Sequence, residues 1–92
     1  MVDYEDGFWH RYEYISTPDG IQYYVSAVEL RFPMFDNNRY ELQVFPSKDN
    51  QVIDWIGVYI ETFMDREVAN RAWDTVADKI RSGVFISEEL NE

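Results

Sequence analysis

The side chains of this chain best suited to acid–base or metal chemistry near neutral pH are a single histidine, His10, and eighteen carboxylates. Any general acid–base centre, and most metal sites, would be built around His10 or without it. It lies among aromatics in the stretch FWHRYEYIST, where a histidine is expected to be structural or at the surface. Ser16, Ser26, Ser47, Ser82 and Ser87 have no histidine near them in sequence, and no nucleophile elbow is present. The four glycines form neither GxGxxG nor a phosphate loop. The absence of cysteine rules out thiol nucleophiles, disulfides and thiolate zinc sites. Asp74 and Asp78 stand one helical turn apart and could attract a divalent cation, but the same spacing describes a solvated helix face. Asp49, Asn50 and Asp54 lack the spacing and distal glutamate of an EF-hand loop. Two carboxylates would suffice for glycoside hydrolysis, yet that chemistry needs an enclosed pocket that so short a chain rarely forms. No catalytic residue, cofactor or metal ligand is expected. The chain reads as a binding protein rather than an enzyme.

Charge points the same way. Eighteen acids against eight lysines and arginines give a formal net charge of −10, and no run of five like charges concentrates it in a tail. Such a field repels phosphate backbones, so direct nucleic-acid binding is not expected, and a basic partner is. Aromatics make up 17% of the chain, enough that some rings should stay partly exposed in so small a domain. Phe8, Trp9, Tyr12, Tyr14, Tyr23 and Tyr24 could stack bases, but the basic groove that accompanies such platforms is missing. The acidic start, Met1 to Asp6, has no basic region of a signal peptide, and no apolar run nears the roughly 18 residues of a membrane span. A cytoplasm is expected, the cell's own or that of an infected host.

The elements that would position these groups form one domain over residues 1–92. Phe8 to Thr17 reads as a strand with Phe8, His10, Tyr12 and Tyr14 on one face and Trp9, Arg11, Glu13 and Ile15 on the other. Thr17-Pro18-Asp19-Gly20 is a hairpin turn, with proline presetting φ and glycine taking the left-handed position. Ile21 to Phe32 is the return strand, apolar on both faces as a central or bulged strand would be. Pro33 stops it, and Asp36-Asn37-Asn38 turns the chain into a half-wet strand from Arg39 to Phe45. Pro46 to Asn50 reads as a loop. Val52 to Met64 fits a strand by its β-branched alternation and Gly57, and also fits a helical stripe through Ile53, Ile56, Ile60 and Phe63; strand is preferred. Asp65 caps a helix of about 66–82 whose apolar stripe is Val68, Ala69, Ala72, Trp73, Val76, Ala77 and Ile80, ended by Gly83. Val84-Phe85-Ile86 would form a short strand or docked tail, and residues 87–92 would fray. The expected fold is α+β: an antiparallel four-stranded β-meander with one C-terminal amphipathic helix packed on one face, β-β-β-β-α.

One helix leaves the other sheet face uncovered, and that face, aromatic and acidic, is the expected working surface. The expected partner-binding residues are Glu13, Glu29, Glu41, Asp54 and Glu61 on the sheet, Asp74 and Asp78 on the helix, and Trp9 and Tyr24 as aromatic anchors, with Trp55 a further anchor. In size, acidity and aromatic content the chain resembles small phage-encoded inhibitors, anti-restriction and anti-CRISPR proteins among them. The resemblance is one of composition and carries no motif. It implies a small acidic inhibitor that occupies a basic surface of its partner, a nucleic-acid-binding enzyme, by imitating DNA. The alternative is a protein–protein adaptor or toxin-immunity protein using an aromatic-centred sheet face; a homodimer through that face is a further reading. A mimic requires a long acidic stripe with few exposed aromatics. An adaptor requires an apolar centre with acids around it.

Overall fold

A computed structural model describes residues 2–5, 8–32 and 37–84. The described chain runs β1 (Val2–Glu5), β2 (Phe8–Ser16), β3 (Gln22–Glu29), β4 (Tyr40–Lys48), β5 (Gln51–Val52), β6 (Tyr59–Phe63) and α1 (Arg66–Arg81). The strands form one antiparallel sheet in the order β1-β2-β3-β4, with β5 and β6 both paired to the far edge of β4. The expected meander and C-terminal helix are therefore present. The acidic start adds a strand, β1, that composition did not suggest.

Local chemistry explains each connection. Between β2 and β3, Thr17 N–H donates to the Ile21 carbonyl at 2.8 Å and Gly20 N–H to the Thr17 carbonyl at 3.0 Å. Gly20 sits at φ 87°, the left-handed position a three-residue hairpin loop requires. Between β4 and β5 the turn is Asp49-Asn50, with φ 53° and 61°; two central residues at positive φ match the right-handed twist of the flanking strands. This tight turn corrects the expected loop from Pro46 to Asn50, since Pro46, Ser47 and Lys48 continue β4. Of the expected turn at Asp36-Asn37-Asn38, Asn37 has φ 63°. Pro33, Asp36, Phe85, Ile86 and residues 87–92 lie outside the described residues, and the readings made on them lie there too.

The register sorts the sheet into two faces. On one, the rows Trp9–Glu29–Tyr40–Phe63, Arg11–Ala27–Leu42–Glu61 and Glu13–Val25–Val44–Tyr59 run across the strands. α1 packs on this face. Its buried residues Ala69, Trp73, Val76, Ala77 and Ile80 recur every three or four positions. Trp73 is 2% exposed and belongs to one core cluster with Val25, Ala27, Leu42 and Val44, all fully buried, while its indole N–H donates to the Val25 carbonyl at 3.3 Å. Val68, expected in the stripe, lies exposed at its margin. Asp65 occupies the N-cap position and its carbonyl accepts the Ala69 N–H at 3.1 Å, but its side chain makes no cap hydrogen bond. At the other end Val84 N–H donates to the Lys79 carbonyl and Gly83 N–H to Ile80, with Gly83 at φ 78°. This is the Schellman arrangement, which only a residue tolerant of the left-handed region completes without strain.

Trp73 joins helix to sheet by both packing and a hydrogen bond. Trp73→Ala should lower stability by about 3–5 kcal/mol, measured by urea denaturation, and leave little folded protein at 37 °C. A loss under about 1 kcal/mol would mean that the helix is seated by other contacts.

Candidate functional site

The face turned away from the helix carries the rows His10–Val28–Glu41–Thr62, Tyr12–Ser26–Gln43–Ile60 and Tyr14–Tyr24–Phe45. The last row has no strand partner beyond Phe45, because the edge strand is interrupted there. Ile53 N–H bonds the Pro46 carbonyl and Val58 N–H bonds the Val44 carbonyl. The acceptors are two residues apart and the donors five, so the edge strand extrudes Asp54 to Gly57 as an oversized bulge. Asp54 turns the loop by accepting the Ile56 N–H at 3.0 Å. At Gly57 an added Cβ would lie 3.4 Å from the Tyr59 carbonyl and 3.5 Å from that of Val44, so the loop rejoins the sheet at ordinary contact distance. Val52 to Met64 is thus neither one strand nor a helix: it is two short strands around this loop.

The loop places Trp55 at the open end of the third row. Its ring meets Phe45 edge-on with centroids 5.1 Å apart and Tyr24 at 6.4 Å. Tyr24 in turn lies 4.9 Å from Tyr14 and 6.0 Å from Tyr12, and Tyr12 stacks 4.6 Å from His10. Phe45 is buried beneath these rings, whereas Trp55 remains 70% exposed. Ile53, Ile56 and Ile60 are exposed beside it and Ile21 across the adjoining turn. Burial and the neighbouring Tyr14 and Tyr12 push the Tyr24 hydroxyl above its ordinary pKa, so it stays a neutral donor at physiological pH.

The other expected site residues scatter. Trp9 is 4% exposed, on the helix side, and is withdrawn as an anchor; strand parity placed it there, opposite Tyr12 and Tyr14. Tyr23 shares that side, so the expected platform loses both rings. Glu13 pairs with Arg81 at 2.9 Å and Glu29 with Arg66 at 3.4 Å. Asp74 holds Arg11 at 2.6 Å while the guanidinium lies 3.8 Å over the Trp73 ring, and Asp78 sits 3.5 Å from Arg81. These four acids face the chain's own arginines at the helix–sheet seam. Glu61 lies on the helix side beyond the helix, accepting from the Tyr59 hydroxyl; burial and this contact push the Tyr59 pKa up. Asp54 is in the extruded loop rather than the sheet. Of the four expected acids that lie in strands, Glu13, Glu29, Glu41 and Glu61, Glu41 alone is on the open face, where burial raises its carboxyl pKa. Sequence reasoning did not find Phe45, Ile56 and Ile60. The signal available was the run Ile53-Asp54-Trp55-Ile56-Gly57, too apolar for an ordinary edge loop.

Cross-strand register also brings His10 Nε2 to 3.0 Å from Ser26 Oγ, a pairing hidden by their distance in sequence. Ser26 is only 8% exposed, and the contact satisfies a buried hydroxyl. No group of three potential metal ligands occurs among the described residues, and no described helix is long and apolar enough to cross a membrane. No family model, curated protein or solved structure matches this chain.

Two outcomes follow. Asp74→Lys sets an ammonium against Arg11 and should destabilise the fold by on the order of 1 kcal/mol in urea denaturation; an unchanged midpoint would mean the seam pairs are idle. Burial raises the folded pKa of Glu41 above its ordinary value near 4.5, so its contribution is full below that value and is lost as pH rises through the folded pKa. Glu41→Gln, which keeps an acceptor for the Gln43 amide, should raise the urea midpoint at pH 7 and not at about pH 4. Equal shifts at both pH values would contradict this assignment.

Proposed function

We propose that this chain is a small acidic binding protein that docks a protein partner on its helix-free sheet face, with Trp55 and the extruded loop as anchor. The observation that supports this reading is an indole 70% exposed whose ring contacts Phe45 and Tyr24. A rigid, pre-placed aromatic loses little entropy on binding and is the side chain most enriched at interface hot spots. Exposed Ile53, Ile56 and Ile60 extend the apolar centre. Asp19, Asp49 and Asp54, all exposed, border it from the turns and loop. An apolar centre with acids around it is the arrangement of an adaptor or immunity-type protein.

A second reading, an acidic DNA-mimic inhibitor occupying the groove of a nucleic-acid-binding enzyme, rests on the net charge of −10. It is favoured less, because Glu13, Glu29, Asp74 and Asp78 are shared with arginines and the acids divide between two faces.

Capture of partners from lysate with tagged wild type, Trp55→Ala and the doubly reversed Glu67→Lys/Asp78→Lys separates the two. Docking on the open face predicts that Trp55→Ala weakens capture by about 2 kcal/mol, roughly thirtyfold, with the fold intact, while the helix reversals leave it nearly unchanged. Loss of capture with the helix reversals alone, together with release by moderate salt, would replace docking with the mimic reading.

A further inference from the structure

We infer that the group received by the aromatic face is a cationic side chain, an arginine or lysine carried by a basic segment of the partner protein. The inference rests on the docking reading and supplies its chemistry. Tyr12, Tyr14, Tyr24 and Trp55 form a continuous band of rings whose neighbours lie 4.9–6.4 Å apart. A ring face attracts a cation through its quadrupole, and indole does so best.

The placement of the chain's own cations makes the band available. All eight lysines and arginines fall within the described residues. Arg66, Arg71, Lys79 and Arg81 are on the helix, and Arg11 reaches across to it. Lys48 has the strand parity of the helix side, although it ends β4 exposed and lines a shallow cavity with Ile21, Asp49 and Ile53. Arg31 and Arg39 lie in the β3–β4 connection, at the end of the sheet where Arg31 sits 5.2 Å over the Phe8 ring. None belongs to the row Tyr14–Tyr24–Phe45 or to the loop that carries Trp55. Among the described residues, that loop carries Asp54 and the turns at the same end of the sheet carry Asp19 and Asp49, all exposed. A guanidinium docking there meets ring faces, a bordering set of acids and a molecular charge of −10.

The molecule already contains examples of the proposed contact, with Arg66 over the Trp9 ring and Arg11 over that of Trp73, the closest of them. Arg11 lies 3.8 Å from the centroid of the Trp73 ring with Asp74 as its counter-ion at 2.6 Å. Indole, guanidinium and carboxylate are combined there to seat the helix. At Trp55 the indole and neighbouring acids are present, and the guanidinium would come from outside.

The test is titration of the full chain with a hexa-arginine peptide and, in parallel, a hexa-citrulline peptide of the same shape without the charge, followed by 15N–1H spectra. Trp55 is the exposed tryptophan beside buried Trp9 and Trp73, so its indole N–H reports on this face. The arginine peptide should shift the Trp55 indole and the Tyr12, Tyr14 and Tyr24 amides, and the citrulline peptide should not. Trp55→Leu should weaken arginine-peptide binding roughly fivefold to thirtyfold, and Trp55→Phe should restore part of it. Equal binding of both peptides would overturn the inference, as would shifts confined to Glu67, Asp74 and Asp78 on the helix. If Trp55→Ala abolishes partner capture while the arginine peptide ignores the face, the cationic occupant fails and the docking reading survives.

Discussion

One helix is asked to cover a sheet too wide for it. An α-helix is about 10 Å across and neighbouring strands lie about 4.8 Å apart, so one helix roofs two to three strands on one face. Trp73 takes the middle of that roof, over Val25, Ala27, Leu42 and Val44. Where the roof ends, at β6, Glu61 is already exposed. The opposite face has no second layer among the described residues, and its rings cover one another instead. Phe45 is buried by Trp55 and Tyr24, so the extruded loop serves as a partial substitute for a missing layer. A substitute made of one indole leaves that indole in water.

The charge distribution follows from the same asymmetry. Arginines gather where the helix meets the sheet, because their long stems pack on apolar surface while their heads reach acids on the neighbouring element. Arg11, Arg66 and Arg81 thereby bind Asp74, Glu29 and Glu13. The formal charge of −10 is consequently uneven in effect. It is answered by ion pairs at the seam, whereas among the described residues Asp19, Asp49 and Asp54 form none.

Much of the fold was legible because the deciding signals were local. The turn at Thr17 to Gly20, the alternation of Tyr40, Leu42 and Val44 and the stripe through Trp73 each need only a few neighbouring residues to be read. The misreadings arose where long-range pairing decides. Pro46 reads as a strand breaker, yet its carbonyl is used by Ile53 and β4 runs on through Lys48. Val2 to Glu5 is acidic and becomes a strand only by pairing with Phe8 to Arg11. The site was legible as a face but not as a residue set. Parity within the strand assigned Tyr12 and Tyr14 to one side and Trp9 to the other, whereas only the cross-strand register sets Tyr24 beside Tyr14, and nothing local reveals that Glu13, Glu29 and Asp74 find arginines or that Trp55 closes the row begun by Tyr14.

On the proposed reading, the molecule works through the face its helix leaves open. Hydroxyl-radical footprinting of the chain, free and in complex with the partner it captures, tests this most directly. Trp55, Tyr24 and Tyr12 should lose reactivity on binding while side chains on the exposed helix surface keep theirs. Protection of the helix surface with Trp55 still fully reactive would contradict it.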